Sequence, residues 1–176
     1  MAIDTSQRLT KYDIVKITDF ARTSLKPYDL SSKNLNVVLL SYGDSVNLIK
    51  PSPKNKQDLD DIFTAFPEIG GPQKIPVLLN FVNKYLFRKN PIQKKVFVLT
   101  AFGEPNLKAL SPNTLAELKE KEVEILSLAI NSQPEPFIAI CPEPNIVTIN
   151  GSDQLPGVVG VVEGKTKDIL GMFNLF

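Results

Sequence analysis

Asp4, Ser6 and Arg8 stand at alternate positions just after a short apolar start, Ala2-Ile3, and they carry the clearest capacity for site chemistry in this chain. An aspartate and a serine two residues apart at a strand end can offer a carboxylate and a hydroxyl to a hard divalent cation, which takes oxygen ligands in a near-octahedral shell. Arg8, where a third oxygen ligand would stand, cannot coordinate and brings positive charge toward the ion. One carboxylate beside a guanidinium is too little countercharge for Mg²⁺, which gives up its water reluctantly. Asp4 and Ser6 are therefore too few to hold an ion, and neither a metal nor another cofactor is expected. Two fates for the Asp4 carboxylate stay open. Arg8 could donate a charge-assisted, bidentate hydrogen bond and take over the electrostatic role of the ion. Alternatively Asp4 caps the following helix or is held by backbone N–H groups, with Arg8 in water.

The rest of the composition prunes the chemistry further. There is no histidine, which removes Ser-His-Asp and Cys-His pairings and imidazole ligands. The single cysteine, Cys141, excludes internal disulfides and cysteine zinc sites, and its place after Phe137-Ile138-Ala139-Ile140 reads as a small buried hydrophobe. Lys and Arg number 20 against 19 acids, so no global field invites nucleic acid or a membrane surface. No apolar run reaches the roughly 18 residues of a bilayer-spanning helix. With 176 residues and 43% apolar content the chain is expected to form one domain over 1–176 with a core of its own, excised from a longer, multi-module protein or else cytoplasmic.

The elements that must position these residues alternate along the chain. Residues 36–42, 95–102 and 123–130 are short runs rich in β-branched and aromatic residues and read as strands buried on both faces, with 145–149 a weaker fourth. Residues 45–51 follow the turn dipeptide Gly43-Asp44 and are expected to return as an antiparallel edge strand. Helical spacing places Ile14, Ile17, Phe20, Ala21 and Leu25 on one face, Leu59, Ile62, Phe63 and Phe66 on a second helix, and Leu78, Phe81, Val82, Tyr85 and Leu86 on a third that opens at Pro76. Ser111-Pro112 opens a helix carrying Leu115 and Leu118, and Ser152 is expected to start a last, glycine-interrupted helix. The alternation predicts an α/β fold: a doubly wound, mostly parallel central sheet with one antiparallel edge strand and helices on both faces. Ligands in such folds collect beyond the carboxyl ends of the strands, so the stretches after residues 4, 42, 101 and 130 are the ones to inspect. Neither G-x-G-x-x-G nor G-x-x-x-x-G-K-[ST] occurs, which speaks against nucleotide chemistry.

The order of these segments resembles the von Willebrand factor A domain, the integrin inserted domain. The likeness runs from Asp4-x-Ser6 through 36–44, 58–71, 94–104 and 118–130 to the closing segment 145–155. The resemblance implies a three-layer sandwich and, in many members, a metal-ion-dependent adhesion site. That site uses an Asp-x-Ser-x-Ser loop, a threonine of a second loop and an aspartate of a Thr-Asp-Gly turn. Here Asp4 and Ser6 match, Arg8 replaces the second serine, the threonine position falls at or beside Gln73, and Ala101 follows Thr100 where the aspartate would be. Glu104 lies three residues beyond that position and is expected to face solvent.

What the resemblance implies is a non-enzymatic protein-interaction module of an extracellular matrix or adhesion protein, binding without a divalent metal. The top-face loops 5–8, 71–76 and 101–106, with Arg8, Gln73, Lys74 and Glu104, are the expected contact residues for a matrix or cell-surface protein, with a side surface as the alternative. Two other readings carry weight: a spacer or assembly module in an array like that of collagen VI, and an intracellular assembly platform. A hydrolase reading rests only on Asp4-x-Ser6 and Asp44, and neither has a base-and-orienter partnership.

Overall fold

Strands β4 (Lys95–Phe102) and β5 (Val123–Ile130) pair in parallel along all eight residues, Lys95 opposite Val123 through Phe102 opposite Ile130, in a computed structural model that describes residues 1–87 and 94–171. They form the backbone of a six-stranded sheet. With β1 (Ala2–Asp4), β2 (Leu40–Tyr42), β3 (Val46–Leu48) and β6 (Ile146–Ile149), the order across it is β3-β2-β1-β4-β5-β6. Only β3 runs antiparallel, hairpinned to β2 as the turn at Gly43-Asp44 predicts. Side chains along β4 and β5 alternate between two cores. Val98, Leu126, Leu128 and Ile130 face α1 (Lys11–Leu25) and α5 (Leu155–Leu170). Phe97, Leu99, Ala101, Ile125 and Ala129 face α3 (Ile75–Phe81) and α4 (Pro112–Glu120). The period of two along a strand is what lets one apolar run serve both layers. α2 (Lys56–Thr64) contributes Leu59 to a third, smaller cluster with Leu25, Leu30 and Leu39. Cys141 is a buried free thiol in the second of these layers, bonded to Ser127 Oγ.

The elements form where local chemistry favours them. α1 opens with a capping box, Thr10 Oγ1 accepting from Asp13 N and the Asp13 carboxylate accepting from Thr10 N. Pro76 and Pro112 occupy the first turns of α3 and α4, where a missing N–H costs nothing.

The structure departs from the sequence reading in four places. The strand expected over 36–42 is regular only at Leu40–Tyr42, opposite the three residues of β1. Tyr85, placed on the core stripe, is 61% exposed. α3 runs into a π-helical turn, Val82–Leu86, and the extra residue per turn moves Tyr85 off the buried face. Ser111 precedes Pro112 without making a side-chain cap bond. Ser152 does not cap the last helix either: it starts a 3₁₀ turn, Ser152–Gln154, and its hydroxyl donates instead to Asp13 Oδ1, joining the starts of α1 and α5. α5 is continuous to Leu170 and ends at Gly171 in the left-handed conformation that suits a helix terminus. The part of the last segment beyond Gly171 lies outside the described residues.

Two glycines give opposite expectations. A Cβ on Gly43 would sit 2.0 Å from the carbonyl oxygen of Gly70, whereas one on Gly160 would meet nothing within 4 Å. Gly43→Ala is expected to lose about 1–3 kcal/mol by overpacking against backbone. Gly160→Ala in the interior of α5 is expected to gain about 0.5–1 kcal/mol. Urea denaturation of both variants checks the pair.

Candidate functional site

The carboxyl end of β1 places Asp4 between the ends of β2 and β4, where the sheet meets its upper loops. Its side chain is fully buried. A carboxylate in that position needs donors, since burying it unpaired is very costly. It has three: Ser6 N to Oδ1 at 2.9 Å, Phe102 N to Oδ2 at 2.9 Å and Gln73 Nε2 to Oδ2 at 2.5 Å. Burial nevertheless wins over these hydrogen bonds, and the carboxyl titrates above the usual aspartate range. The backbone around it is pinned through Thr100, whose Oγ1 accepts from Asp4 N and donates to Ala2 O. The Tyr42 hydroxyl donates to Thr100 O, and burial, followed by the nearby Asp4 charge, holds that phenol well above its ordinary range.

Gln73 reaches Asp4 because three loops are stitched together beneath it. Gly70 N donates to Thr5 O, Gln7 N to Gly71 O, Asp44 N to Gly70 O and Lys74 N to Gly43 O. Gly70 and Gly71 both take positive φ, the conformation that folds this segment back over the ends of β1 and β2. The amide orientation follows from chemistry. With Nε2 toward Asp4 the carboxylate gains a donor; reversed, two acceptors would face each other at 2.5 Å. The same Nε2 lies 3.2 Å from Phe102 O.

Arg8 does not pair with Asp4. Its Nη1 donates to Glu104 O at 2.7 Å and lies 3.5 Å from Phe102 O, over Gly103, where a Cβ would sit 3.4 Å from it. Of the two fates left open, the Asp4–Arg8 ion pair does not form: N–H donors hold the acid, as the alternative had it, but the guanidinium is seated on the carbonyls of Phe102 and Glu104 rather than in water alone. Arg8, Lys74 and Glu104 are exposed on the top face, while Gln73 is buried and spent internally, so it does not belong to the exposed contact set. From sequence Tyr42 has no role, and Thr100 and Phe102, although inside the stretches singled out, are not assigned to Asp4. The signal that could have found them is their place at the ends of the strands flanking β1.

Whether a divalent cation suits this site is decided by its donor atoms. Two buried oxygens, Ser6 Oγ and Gln73 Oε1, have no hydrogen-bond partner among the described residues and are the right element for a hard ion. Against them, both oxygens of the one carboxylate already accept from N–H groups, and the third side chain turns an amide nitrogen toward it. Among the described residues no group of three or more His, Cys, Asp or Glu could hold an ion. The set does not fit a divalent metal.

A three-layer sandwich with a central Asp-x-Ser at the top of a parallel sheet defines a class, and the comparison with family models agrees: residues 1–157 match the von Willebrand factor type A domain. The chain belongs to that family. Its fold is similar to proximal thread matrix protein 1 from the mussel byssus, at 18% identity and a TM-score of 0.81, covering 92% of this chain and 46% of that one. A second structure of that protein, with a zinc-occupied MIDAS motif, gives 18% identity and a TM-score of 0.82, with the same coverage. A von Willebrand factor type A protein from Catenulispora acidiphila is similar at 12% identity and a TM-score of 0.69, covering 97% of this chain and 42% of that one. The chain thus spans under half the length of these solved relatives. A comparison with curated protein sequences finds no match.

The raised Asp4 pKa fixes a sign. The folded state holds its proton more tightly than the unfolded chain, so between the ordinary aspartate pKa and the raised one this group makes stability fall as pH rises. Asp4→Asn removes that dependence and leaves one donor unpaired at every pH, a loss of about 1–3 kcal/mol. The stability advantage of the native chain over D4N is therefore expected to widen as pH falls from 7 to 4. Chemical denaturation at both pH values checks it, and a narrowing gap would contradict it.

Proposed function

We propose that this domain is a non-enzymatic protein-interaction module of an extracellular matrix or adhesion protein, and that its top face binds a protein partner without a divalent metal. The family is one of protein-interaction modules, which supports the class. The likeness to a byssal matrix protein supports the setting. Among the described residues no helix is long and apolar enough to cross a membrane, and the near-balanced charge favours neither nucleic acid nor a lipid surface.

The observation that carries the metal-free reading is the state of Asp4: its oxygens are taken by N–H donors, so the acid that would anchor an ion is already satisfied by the protein. The same observation argues against catalysis, because a general base needs a lone pair turned toward a substrate. What remains exposed above it is a set of fixed charges, Arg8, Lys74 and Glu104. Arg8 is seated by a hydrogen bond from Nη1 to Glu104 O, with no carboxylate paired to it among the described residues.

The test is binding to a panel of purified matrix proteins, collagens included, measured in Mg²⁺ and again in EDTA. Binding is expected to be equal in the two buffers and to weaken about tenfold or more in R8E/K74E. Mg²⁺, Mn²⁺ and EDTA are likewise expected to leave the thermal midpoint unchanged. Binding that disappears in EDTA, or a midpoint that rises by several degrees in Mg²⁺, overturns the reading.

A further inference from the structure

We propose that the Gln73 carboxamide is a built-in substitute for a cation: it satisfies Asp4 by hydrogen bonding and fastens the loop before α3 to the ends of β1 and β4 in a single arrangement. The inference rests on the metal-free reading above and goes beyond it by naming the side chain responsible.

The geometry supports this assignment over a role for Arg8. Nε2 of Gln73 bridges Asp4 Oδ2 at 2.5 Å and Phe102 O at 3.2 Å. It therefore joins an acid on β1 to a carbonyl on β4, from a loop that belongs to neither, which is what a coordinated ion does for oxygen ligands on separate loops. The Arg8 guanidinium touches the same Phe102 carbonyl from outside, at 3.5 Å, but no Asp4 oxygen. The arginine thus makes no direct contact with the acid. Gln73 is also placed to be rigid: it is buried, and the backbone bond from Lys74 N to Gly43 O anchors its neighbour. An amide differs from an ion in one respect that matters. It is covalently part of the chain, so no chelator removes it and no change in ion concentration resets the loops. Gln73 acts as a positioning residue, and exchanging its amide for a carboxylate should convert the lock into a demand for a cation, since two acids this close cannot both ionise unaided.

The experiment compares the native chain, R8S and R8S/Q73E by thermal unfolding in EDTA and in millimolar Mg²⁺ or Ca²⁺. Removing Arg8 from the double variant denies the new acid a guanidinium partner. The native chain and R8S are expected to melt alike with and without ions. R8S/Q73E is expected to melt at least about 4 °C below R8S in EDTA and to recover most of that loss when either ion is added. A double variant that is destabilised but blind to both ions, or as stable as R8S in EDTA, overturns the proposal. Should R8S/Q73E not fold, the native Gln73 side-chain amide protons decide, assigned in NMR spectra by their absence from Q73A: slow exchange, unchanged by EDTA, supports the lock, and exchange at the free-amide rate overturns it. Mg²⁺ stabilising the native chain would sink the metal-free reading; a cation-blind R8S/Q73E sinks only this one.

Discussion

A carboxylate with no exposure to solvent is the constraint from which the top of this molecule follows. Asp4 sits at the centre of the sheet, where water cannot reach it, and an unpaired charge there would cost more than most domains have to spare. Its donors come from three directions: its own loop at Ser6, the end of β4 at Phe102 and the loop before α3 at Gln73. Each of those donors must be held still, and the glycine turn at 70–71, the tight approach of Gly43 to Gly70 and the Thr100–Tyr42 pair are what hold them.

The same backbone can present quite different chemistry at this spot. One solved relative carries zinc in its MIDAS motif, yet shares only 18% identity with this chain over a very similar fold. Function lives in the side chains grafted onto the scaffold. Here the backbone N–H groups of Ser6 and Phe102 and the Gln73 side-chain amide donate to Asp4, and an arginine stands on the carbonyls of Phe102 and Glu104. Beside the Asp4 carboxylate, Ser6 Oγ and Gln73 Oε1 are buried oxygens without a hydrogen-bond partner among the described residues.

The architecture could be read from the chain because its signals are local and redundant. Runs such as 95–102 and 123–130 are long, β-branched and bounded, and the helices carry caps, prolines and stripes that agree with one another. The site was only half readable. Residue types showed that Arg8, Gln73 and Ala101 depart from the ligand set of the family's metal site, but not where the arginine would go. That depends on the turn at Gly103, whose positive φ accompanies two carbonyls, Phe102 O and Glu104 O, set against an arginine nearly a hundred residues away, and no spacing rule reports such a fit. The phase slip that exposes Tyr85 escaped for a similar reason: a π-helical turn is set by tertiary packing, while the i, i+3, i+4 rule assumes regular winding.

The position of β1 has a consequence for how the molecule comes to be assembled. Ala2 lies opposite Leu40 on one side and Leu99 on the other, so the middle of the sheet is made from a segment that precedes both of its partners in the chain. β4 and β5 are separated by one short helix and can zip with little loop entropy to overcome. On a ribosome, β1 emerges before either neighbour and must wait for a slot that later segments form. Its charged end enters water-free surroundings only when that slot closes around it.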